Sequence, residues 1–269
     1  MANLRLSLLP LMALQLLKKT KKTSFSSEGH FRHFAGCTVT PTTATVFTIK
    51  NLCNYTIWPA TISGNGATSL GGGGFPLPAG ASTSLSAPSG WSGRFWARTG
   101  CLFDSPTTTS GNCTTGDCAG NLHCTVGGVP PVTLAEFTLA SDPTRLDFYD
   151  VSLVDGYNVG VSVTPSGSDT CPDAGCVGDV NDRCPEELRV VDKETGVTVA
   201  CKSACEAFGG ERYCCTGSHA SPGTCGPSEY SRLFKAACPR AYSYAYDDAS
   251  STCTCKAGAD YVIEFCPVA

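Results

Sequence analysis

Residues 111–124 have the sequence GNCTTGDCAGNLHC, which places three cysteines within fourteen residues. The whole chain carries 18 cysteines in 269 residues, and they are dispersed rather than gathered into two compact clusters. Cytosolic enzymes rarely carry so many thiols, so the cysteines indicate an oxidising compartment and a fold held by disulfides. A chain of this length can bury a core as one large all-β domain with appendages.

A zinc protein is the rival explanation for so many thiols. A zinc site needs paired Cys-x2-4-Cys units supported by histidines. The four histidines do not supply such a set, because His30 and His33 lie near the N-terminus while His123 and His219 each lie inside a cysteine-rich loop. The sequence therefore predicts no metal site, and it indicates no cofactor.

The charge is distributed unevenly along the chain. The net charge is −4, but residues 1–43 hold six basic residues and one acidic residue, Glu28. From Ala44 onward, 13 Lys and Arg face 22 Asp and Glu, which is a net charge of −9. An acidic body repels phosphates, so nucleic acids and anionic membranes are not expected partners, whereas neutral sugars are compatible with it.

The N-terminal stretch resembles a signal peptide only in part. Residues 4–17 form an apolar run that is too short to span a bilayer, so no transmembrane anchor is expected. Pro10 interrupts the run, and four lysines follow at positions where small cleavage-site residues are usual. We treat residues 1–43 as a leader or an atypical N-terminal extension. Secretion to the extracellular space or apoplast, with the vacuole as the alternative, is inferred mainly from the cysteines.

Short runs with alternating polarity predict half-buried antiparallel strands. In residues 45–50, Phe47 and Ile49 oppose Thr48 and Lys50, as expected when successive side chains point to opposite faces. The other runs with strand character are residues 55–58, 94–98, 133–139, 146–154, 159–163 and 261–265. Together they favour a β-sandwich.

Residues 171–238 differ in character, because nine cysteines punctuate short polar segments there. Between residues 228 and 237, apolar side chains recur at helical spacing, at Tyr230, Leu233, Phe234 and Ala237. Ser228 is suited to cap the start of this helix, and Pro239 follows its end. The pattern predicts a disulfide-held helical region inserted before the last strands.

The stretch 111–124 closely resembles the signature of the thaumatin-like protein family, the plant pathogenesis-related group 5 that includes osmotin and zeamatin. The match is long and is anchored by cysteines, and its one departure is Thr109, where the signature usually begins with glycine. Further agreement covers about residues 44–267, in the segments WARTGC (96–101), TLAEF (133–137), DGYNV (155–159), ERYCC (211–215) and YSRLFK (230–235).

The resemblance implies a mainly β fold, a flattened antiparallel β-sandwich with a disulfide-rich helical domain and a small cysteine-looped domain. The thaumatin-like region is expected over residues 44–269. Within it, we assign the sandwich core to residues 44–98, 132–170 and 239–269. We name residues 99–131 the cysteine-looped segment and residues 171–238 the helical segment, and a cleft between the sandwich and the helical segment is expected.

The resemblance also implies eight disulfides, a connectivity that spacing alone does not give. The implied pairs are Cys53 with Cys266, Cys101 with Cys113, Cys118 with Cys124, Cys171 with Cys255, Cys176 with Cys238, Cys184 with Cys201, Cys205 with Cys214, and Cys215 with Cys225. Cys37 and Cys253 are left over. Cys253 is expected to be a buried free thiol, with a bridge to Cys37 as the alternative.

In many members of the family, an arginine, a glutamate and three aspartates line the cleft. Matched by local motif, the corresponding residues here are Arg94, Glu136, Asp150, Asp155 and Asp247, with Asp248 as the alternative to Asp247. Carboxylates accept hydrogen bonds from sugar hydroxyls, and arginine donates to them. Tyr149 and Tyr157 lie beside acidic positions, where they either offer apolar faces to sugar rings or pack in the core.

The function that the resemblance implies is defence of a plant against fungi. The expected ligand is β-1,3-glucan or a related fungal wall polysaccharide, bound in the acidic cleft by a monomer. A weak endo-β-1,3-glucanase is the enzymatic alternative, for which Glu136 and Asp155 are the candidate catalytic pair. Inhibition of foreign hydrolases such as xylanase is a third possibility, and binding without efficient turnover is the expectation we favour.

Overall fold

Two five-stranded sheets account for most of the regular structure. A computed structural model of the chain describes residues 44–64, 66–103, 109–167 and 170–268. The strands are β1 (Thr45–Asn51), β2 (Trp58–Ser63), β3 (Ser82–Ala87), β4 (Ser92–Arg98), β5 (Leu102–Phe103), β6 (Gly111–Asn112), β7 (Leu134–Thr138), β8 (Leu146–Ser152), β9 (Val161–Ser166), β10 (Ala174–Cys176), β11 (Arg189–Val191), β12 (Thr198–Cys201), β13 (Cys253–Lys256) and β14 (Asp260–Phe265).

The two sheets are built from strands that are distant in the sequence. The first has the order β10-β9-β14-β1-β3 and the second the order β13-β8-β7-β4-β2, while β5 with β6 and β11 with β12 form two-stranded ribbons. Strands β1 and β14 pair in parallel, and all other pairs of named strands are antiparallel. The predicted antiparallel β-sandwich is confirmed.

An aromatic cluster fills the space between the sheets. Phe47 of β1 lies at its centre, with its ring 4.9 Å from that of Phe95 and 4.7 Å from that of Phe137. The Tyr261 ring contacts those of Phe137, at 5.2 Å, and Tyr149, at 5.1 Å. All five residues are at most 3% exposed, so the inward positions of the alternating strands form one core as predicted.

Most of the predicted strand runs coincide with observed strands, and one does not. Residues 55–58 were expected to form a strand, but the strand β2 begins only at Trp58 and continues to Ser63. Ile57 makes an isolated bridge to Leu77 instead. The local alternation therefore indicates the correct region but places the strand too early, because pairing with β4 begins only at Trp58, opposite Arg98.

Four short α-helices are present among the described residues, at α1 (Ala204–Phe208), α2 (Glu211–Cys214), α3 (Glu229–Ala237) and α4 (Asp248–Ser251). Ser228 caps α3, since its Oγ accepts a hydrogen bond from the Ser231 amide at 3.0 Å. The predicted helix is confirmed, with one difference in its apolar face. Phe234 is buried, but Leu233 is 51% exposed.

The outer face of β4 carries a second, smaller core. Trp96 is fully buried there with Cys118, Cys124, Val132 and Leu134. Arg98 lies on the same face of β4, where alternating polarity predicts a half-exposed side chain, but it is also fully buried. Residues of the cysteine-looped segment cover this face, and the Arg98 guanidinium donates to the carbonyls of Asn121 at 2.8 Å and Leu122 at 2.9 Å.

The structure has eight disulfides, and they join the same cysteine pairs that the family resemblance implied. Cys253 is buried and unpaired, while Cys37 lies outside the described residues. In the described part of the chain, no helix is both long and apolar enough to cross a membrane.

Candidate functional site

Three charged side chains form a row across the second sheet. Arg94 of β4 lies directly opposite Glu136 of β7, and Glu136 lies directly opposite Asp150 of β8. Directly opposed residues of antiparallel strands have Cβ atoms about 5 Å apart on the same face. The register of the sheet therefore brings these three sequence-predicted residues together.

The row faces away from the space between the sheets. Phe95, Phe137 and Tyr149, which neighbour the charged residues in sequence, point into the aromatic core. The charged row accordingly occupies the opposite face. Arg94 and Glu136 are half-buried there, and Asp150 is only 3% exposed.

Asp155 joins this group from the turn that follows β8. Its backbone is fixed because its carbonyl accepts a hydrogen bond from the Val132 amide at 2.9 Å, and the Gly156 amide donates to Leu153 at 2.9 Å. The side chain is half-buried, and its charge acts on Glu136. Four of the predicted cleft residues thus belong to one electrostatic group.

The side chains of this group lack internal partners. Arg94, Glu136, Asp150 and Asp155 make no side-chain hydrogen bond and no ion pair within 4.0 Å to any residue that the structure describes. Arg94 Nε and Asp150 Oδ1 are buried polar atoms that have no hydrogen-bond partner among the described residues. Burying an unpartnered polar atom is costly, so such atoms usually mark a place where a ligand or water is bound.

Burial dominates the titration of the three carboxyl groups. It raises the pKa of Glu136 and Asp155 above their ordinary values, while the Arg94 charge opposes this rise in both. The pKa of Asp150 is raised most strongly, by burial and then by the charges of Glu136 and Asp248. The row can therefore hold protons at a pH where surface carboxylates are ionised.

The two candidates for the fifth position, Asp247 and Asp248, have different surroundings. Asp247 Oδ2 accepts hydrogen bonds from the Ser243 amide at 3.0 Å and the Ser243 hydroxyl at 2.8 Å, and it pairs with Lys235 Nζ at 2.9 Å. Through these contacts, Asp247 stabilises the turn before α4. Asp248 accepts a bond from the Tyr242 hydroxyl at 2.9 Å and is the one of the two whose charge acts on Asp150.

Neither of the tyrosines considered for stacking against sugar rings is accessible. Tyr149 is 1% and Tyr157 3% exposed, and both belong to the main core. The hypothesis that they present apolar faces to a sugar is wrong, and the alternative of core packing is correct. Alternation along β8 could have indicated this for Tyr149, since it shares a face with Val151.

Sequence reasoning missed residues 126–129, with the sequence VGGV, which lie beside the row. A methyl group added at Gly127 would lie within 2.6 Å of the Arg94 guanidinium. Val126 and Val129 on either side are 47% and 57% exposed. The paired glycines were the available signal, but nothing local in the sequence indicates which side chain approaches them. In the described part of the chain, no group of His, Cys, Asp and Glu is arranged to hold a metal ion.

Comparison with known sequences gives one family and several close relatives. A family model described as the Thaumatin family matches residues 51–267. Pathogenesis-related protein 5 of Arabidopsis thaliana is 59% identical over 225 residues, which cover 83% of this chain and 91% of the relative. Pathogenesis-related thaumatin-like protein 3.5 of Cryptomeria japonica is 58% identical over 226 residues, which cover 83% of this chain and 90% of the relative.

Among solved structures, one similar fold is that of a family 64 laminaripentaose-producing β-1,3-glucanase from Paenibacillus barengoltzii. It matches with a TM-score of 0.51 and 12% identity, over 83% of this chain and 75% of the glucanase. At that identity the likeness concerns the fold alone.

Proposed function

The chain belongs to the thaumatin family, and from this premise we propose that it is a secreted defence protein that binds β-1,3-glucan or a related fungal wall polysaccharide in the cleft at Arg94, Glu136, Asp150 and Asp155. Close relatives are named pathogenesis-related proteins, which supports a role in defence. Asp248 is the fifth residue and the fourth carboxylate of the proposed site, because its charge acts on Asp150.

The observation that carries the proposal is the pair of unpartnered buried atoms at the two ends of the row. Arg94 Nε needs an acceptor and Asp150 Oδ1 needs a donor. Both atoms are buried, so a water molecule that bridges them to a sugar hydroxyl supplies both functions, because water and hydroxyl groups each donate and accept hydrogen bonds. A neutral polyol also suits a site in which burial favours the protonated carboxyls, since it adds no charge of its own.

A weak endo-β-1,3-glucanase is a second candidate, favoured by the titration of Glu136. Glycoside hydrolysis requires one carboxyl group with a raised pKa as the acid and a second, ionised one as nucleophile or base. Burial gives Glu136 the first property. It raises the pKa of Asp155 as well, against the effect of Arg94, which weakens Asp155 as the ionised partner. We therefore favour binding over turnover.

Retention on insoluble β-1,3-glucan tests the proposal. Glu136→Gln and Asp155→Asn should each weaken retention by about two- to tenfold, because each changes the donor and acceptor pattern of one carboxyl group and a hydrogen bond contributes about 0.5–1.5 kcal/mol. Glu186→Gln is the matched control, since Glu186 is exposed on a turn of the helical segment and should be retained like the unmodified chain. Full retention of both cleft variants would show that glucan is bound elsewhere.

Release of soluble sugar from the same glucan separates binding from hydrolysis. Turnover that disappears in Glu136→Gln would establish the enzyme. Retention without sugar release would establish the binding protein. Failure of the unmodified chain to bind any β-glucan, together with inhibition of an added xylanase, would favour the inhibitor hypothesis.

A further inference from the structure

We propose that Gly127 is a positioning residue of the proposed site. Because glycine has no side chain, the backbone of residues 126–129 lies against the Arg94 guanidinium and fixes its position relative to Glu136 and Asp155. The consequence for glucan binding rests on the proposed function, whereas the consequence for the charges of the row does not.

The contact between Gly127 and Arg94 is too close for any side chain. A Cβ atom at Gly127 would lie 2.6 Å from Arg94 Nη2, 3.6 Å from Cζ and 4.0 Å from Nε. Real Cβ atoms essentially never approach another heavy atom within 3.0 Å. The φ angle of Gly127 is not in the positive region that favours glycine. The observed position of the Arg94 guanidinium therefore depends on glycine at residue 127, whereas the backbone conformation there does not.

Residues 126–129, which lie against Arg94, are held in place by their own contacts. A Cβ atom at the neighbouring Gly128 would lie 2.5 Å from Trp96 Nε1, and Trp96 is fully buried and donates to the Gly116 carbonyl at 2.9 Å. The Val129 amide donates to the Asp117 carbonyl at 2.7 Å. Since this backbone cannot recede, an added methyl group at Gly127 must displace the Arg94 side chain.

The Arg94 side chain can move when a methyl group is added at Gly127. Its guanidinium makes no hydrogen bond or ion pair to any residue within the described ranges, so no carboxylate pins it in place. The atom struck by the methyl group is the far end of a flexible side chain, and moving it costs little folding energy. Gly127→Ala should consequently shift Arg94 and leave the fold intact.

Displacement of Arg94 changes the charge balance of the row. Arg94 is the charge that lowers the pKa of both Glu136 and Asp155, against burial and, for Glu136, against the negative charge of Asp155. Glu136 in turn raises the pKa of Asp150, to which Asp248 contributes from α4. Moving the guanidinium away from these two carboxyl groups should therefore raise the pKa of Glu136 and of Asp155.

The experiment compares Gly127→Ala with Gly223→Ala by NMR titration of the side-chain carboxyl carbons of Glu136 and Asp155. Gly223 is the matched control, because a Cβ atom there meets no heavy atom within 4 Å and its φ is not in the positive region. We expect both titrations to move to higher pH in Gly127→Ala and to remain unchanged in Gly223→Ala. Retention on β-1,3-glucan should fall by about tenfold in Gly127→Ala alone.

The double variant Gly127→Ala with Arg94→Gln shows whether the effect passes through Arg94. In the Arg94→Gln background, adding Gly127→Ala should cause no further change in either titration. Unchanged titrations in the single variant, or a shift that persists without the arginine, would overturn the proposal. If Gly127→Ala unfolds, the double variant should fold like Arg94→Gln, and unfolding of both would also overturn it.

The two proposals can fail separately. A shift in the titrations, with no retention of the unmodified chain on glucan, would leave the role of Gly127 established and the proposed ligand wrong.

Discussion

Two buried aspartates on opposite faces of β8, Asp147 and Asp150, differ in their hydrogen bonding. Asp147 faces the aromatic core, where its oxygens accept hydrogen bonds from the Ala140 amide and the Tyr261 hydroxyl, both at 2.8 Å. Asp150 lies three residues later on the opposite face, and its Oδ1 has no partner. Burial raises the pKa of both, but hydrogen bonds oppose the rise only for Asp147. The Asp147 carboxyl group therefore bonds within the fold, whereas Asp150 Oδ1 can still accept a hydrogen bond from a bound molecule.

The pH dependence of unfolding should reveal the cost of ionising Asp150. Because its folded-state pKa lies above the unfolded value, its contribution to stability is fully present below about pH 4 and is lost as the pH rises through the folded pKa. Asp150→Asn carries no charge to bury. We expect it to match the unmodified chain near pH 3 and to be more stable at pH 7, by about 1–3 kcal/mol, the usual penalty for an unsatisfied buried group.

Urea unfolding at pH 3, 5 and 7 with the disulfides intact measures this difference. Asp182→Asn is the control, since Asp182 is exposed and should give the same difference from the unmodified chain at every pH. Parallel stability curves for Asp150→Asn and the unmodified chain would contradict the assignment of a raised pKa.

At the scale of elements, helix α3 contacts residues 241–251, the segment that carries Asp248. Lys235, in its last turn, donates to the Ala241 carbonyl and the Ser251 hydroxyl, both at 2.9 Å, and pairs with Asp247. These contacts hold the segment that carries Asp248 and Tyr242. The position of Asp248 therefore depends on a helix that contributes no residue to the row.

Removal of the cap of α3 should destabilise the protein by a modest, measurable amount. Ser228 is 7% exposed, and its Oγ accepts the Ser231 amide, so Ser228→Ala leaves that amide unpaired. The expected loss is about 1 kcal/mol in the free energy of unfolding. Ser86→Ala, at an exposed strand position, is the comparison and should be close to neutral. An equal effect of the two substitutions would mean that the cap does not stabilise α3.

The cap of α3 could be predicted from the sequence, and the burial of Arg98 could not. A capping signal is local, because Ser228 and the amide that it accepts lie three residues apart. Alternation along β4 is also local, and it is sufficient to separate Phe95 and Ala97, which face the core, from Arg94 and Arg98 on the opposite face. It gave no indication that residues 116–124 cover the outer face, where Arg98 bonds to backbone carbonyls and burial lowers its pKa to about 10. The environment of Gly127 is hidden for the same reason, since it depends on a strand 33 residues away.

At the scale of the whole molecule, the first and last strands are neighbours. Strand β1 pairs in parallel with β14 in the middle of the first sheet. That sheet is therefore complete only after residues 260–265 have paired with residues 45–51. Cys53 and Cys266, just beyond these strands, are joined across a sequence separation of 213. This pairing came from family resemblance, because the spacing of 18 cysteines is compatible with very many connectivities.

The long-range disulfide should stabilise the molecule more than a short one. In the chain-entropy model, closing a loop of this length contributes about 5 kcal/mol, against about 2 kcal/mol for the six-residue separation of Cys118 and Cys124. We expect the double variant Cys53→Ala, Cys266→Ala to have a clearly lower urea midpoint than Cys118→Ala, Cys124→Ala. Equal losses would mean that local packing, rather than closure of β1 onto β14, sets the contribution of each bridge. Because Arg94 and Asp150 lie on the other sheet and Asp155 lies in the turn after β8, glucan retention should survive in whatever fraction of the Cys53 variant remains folded.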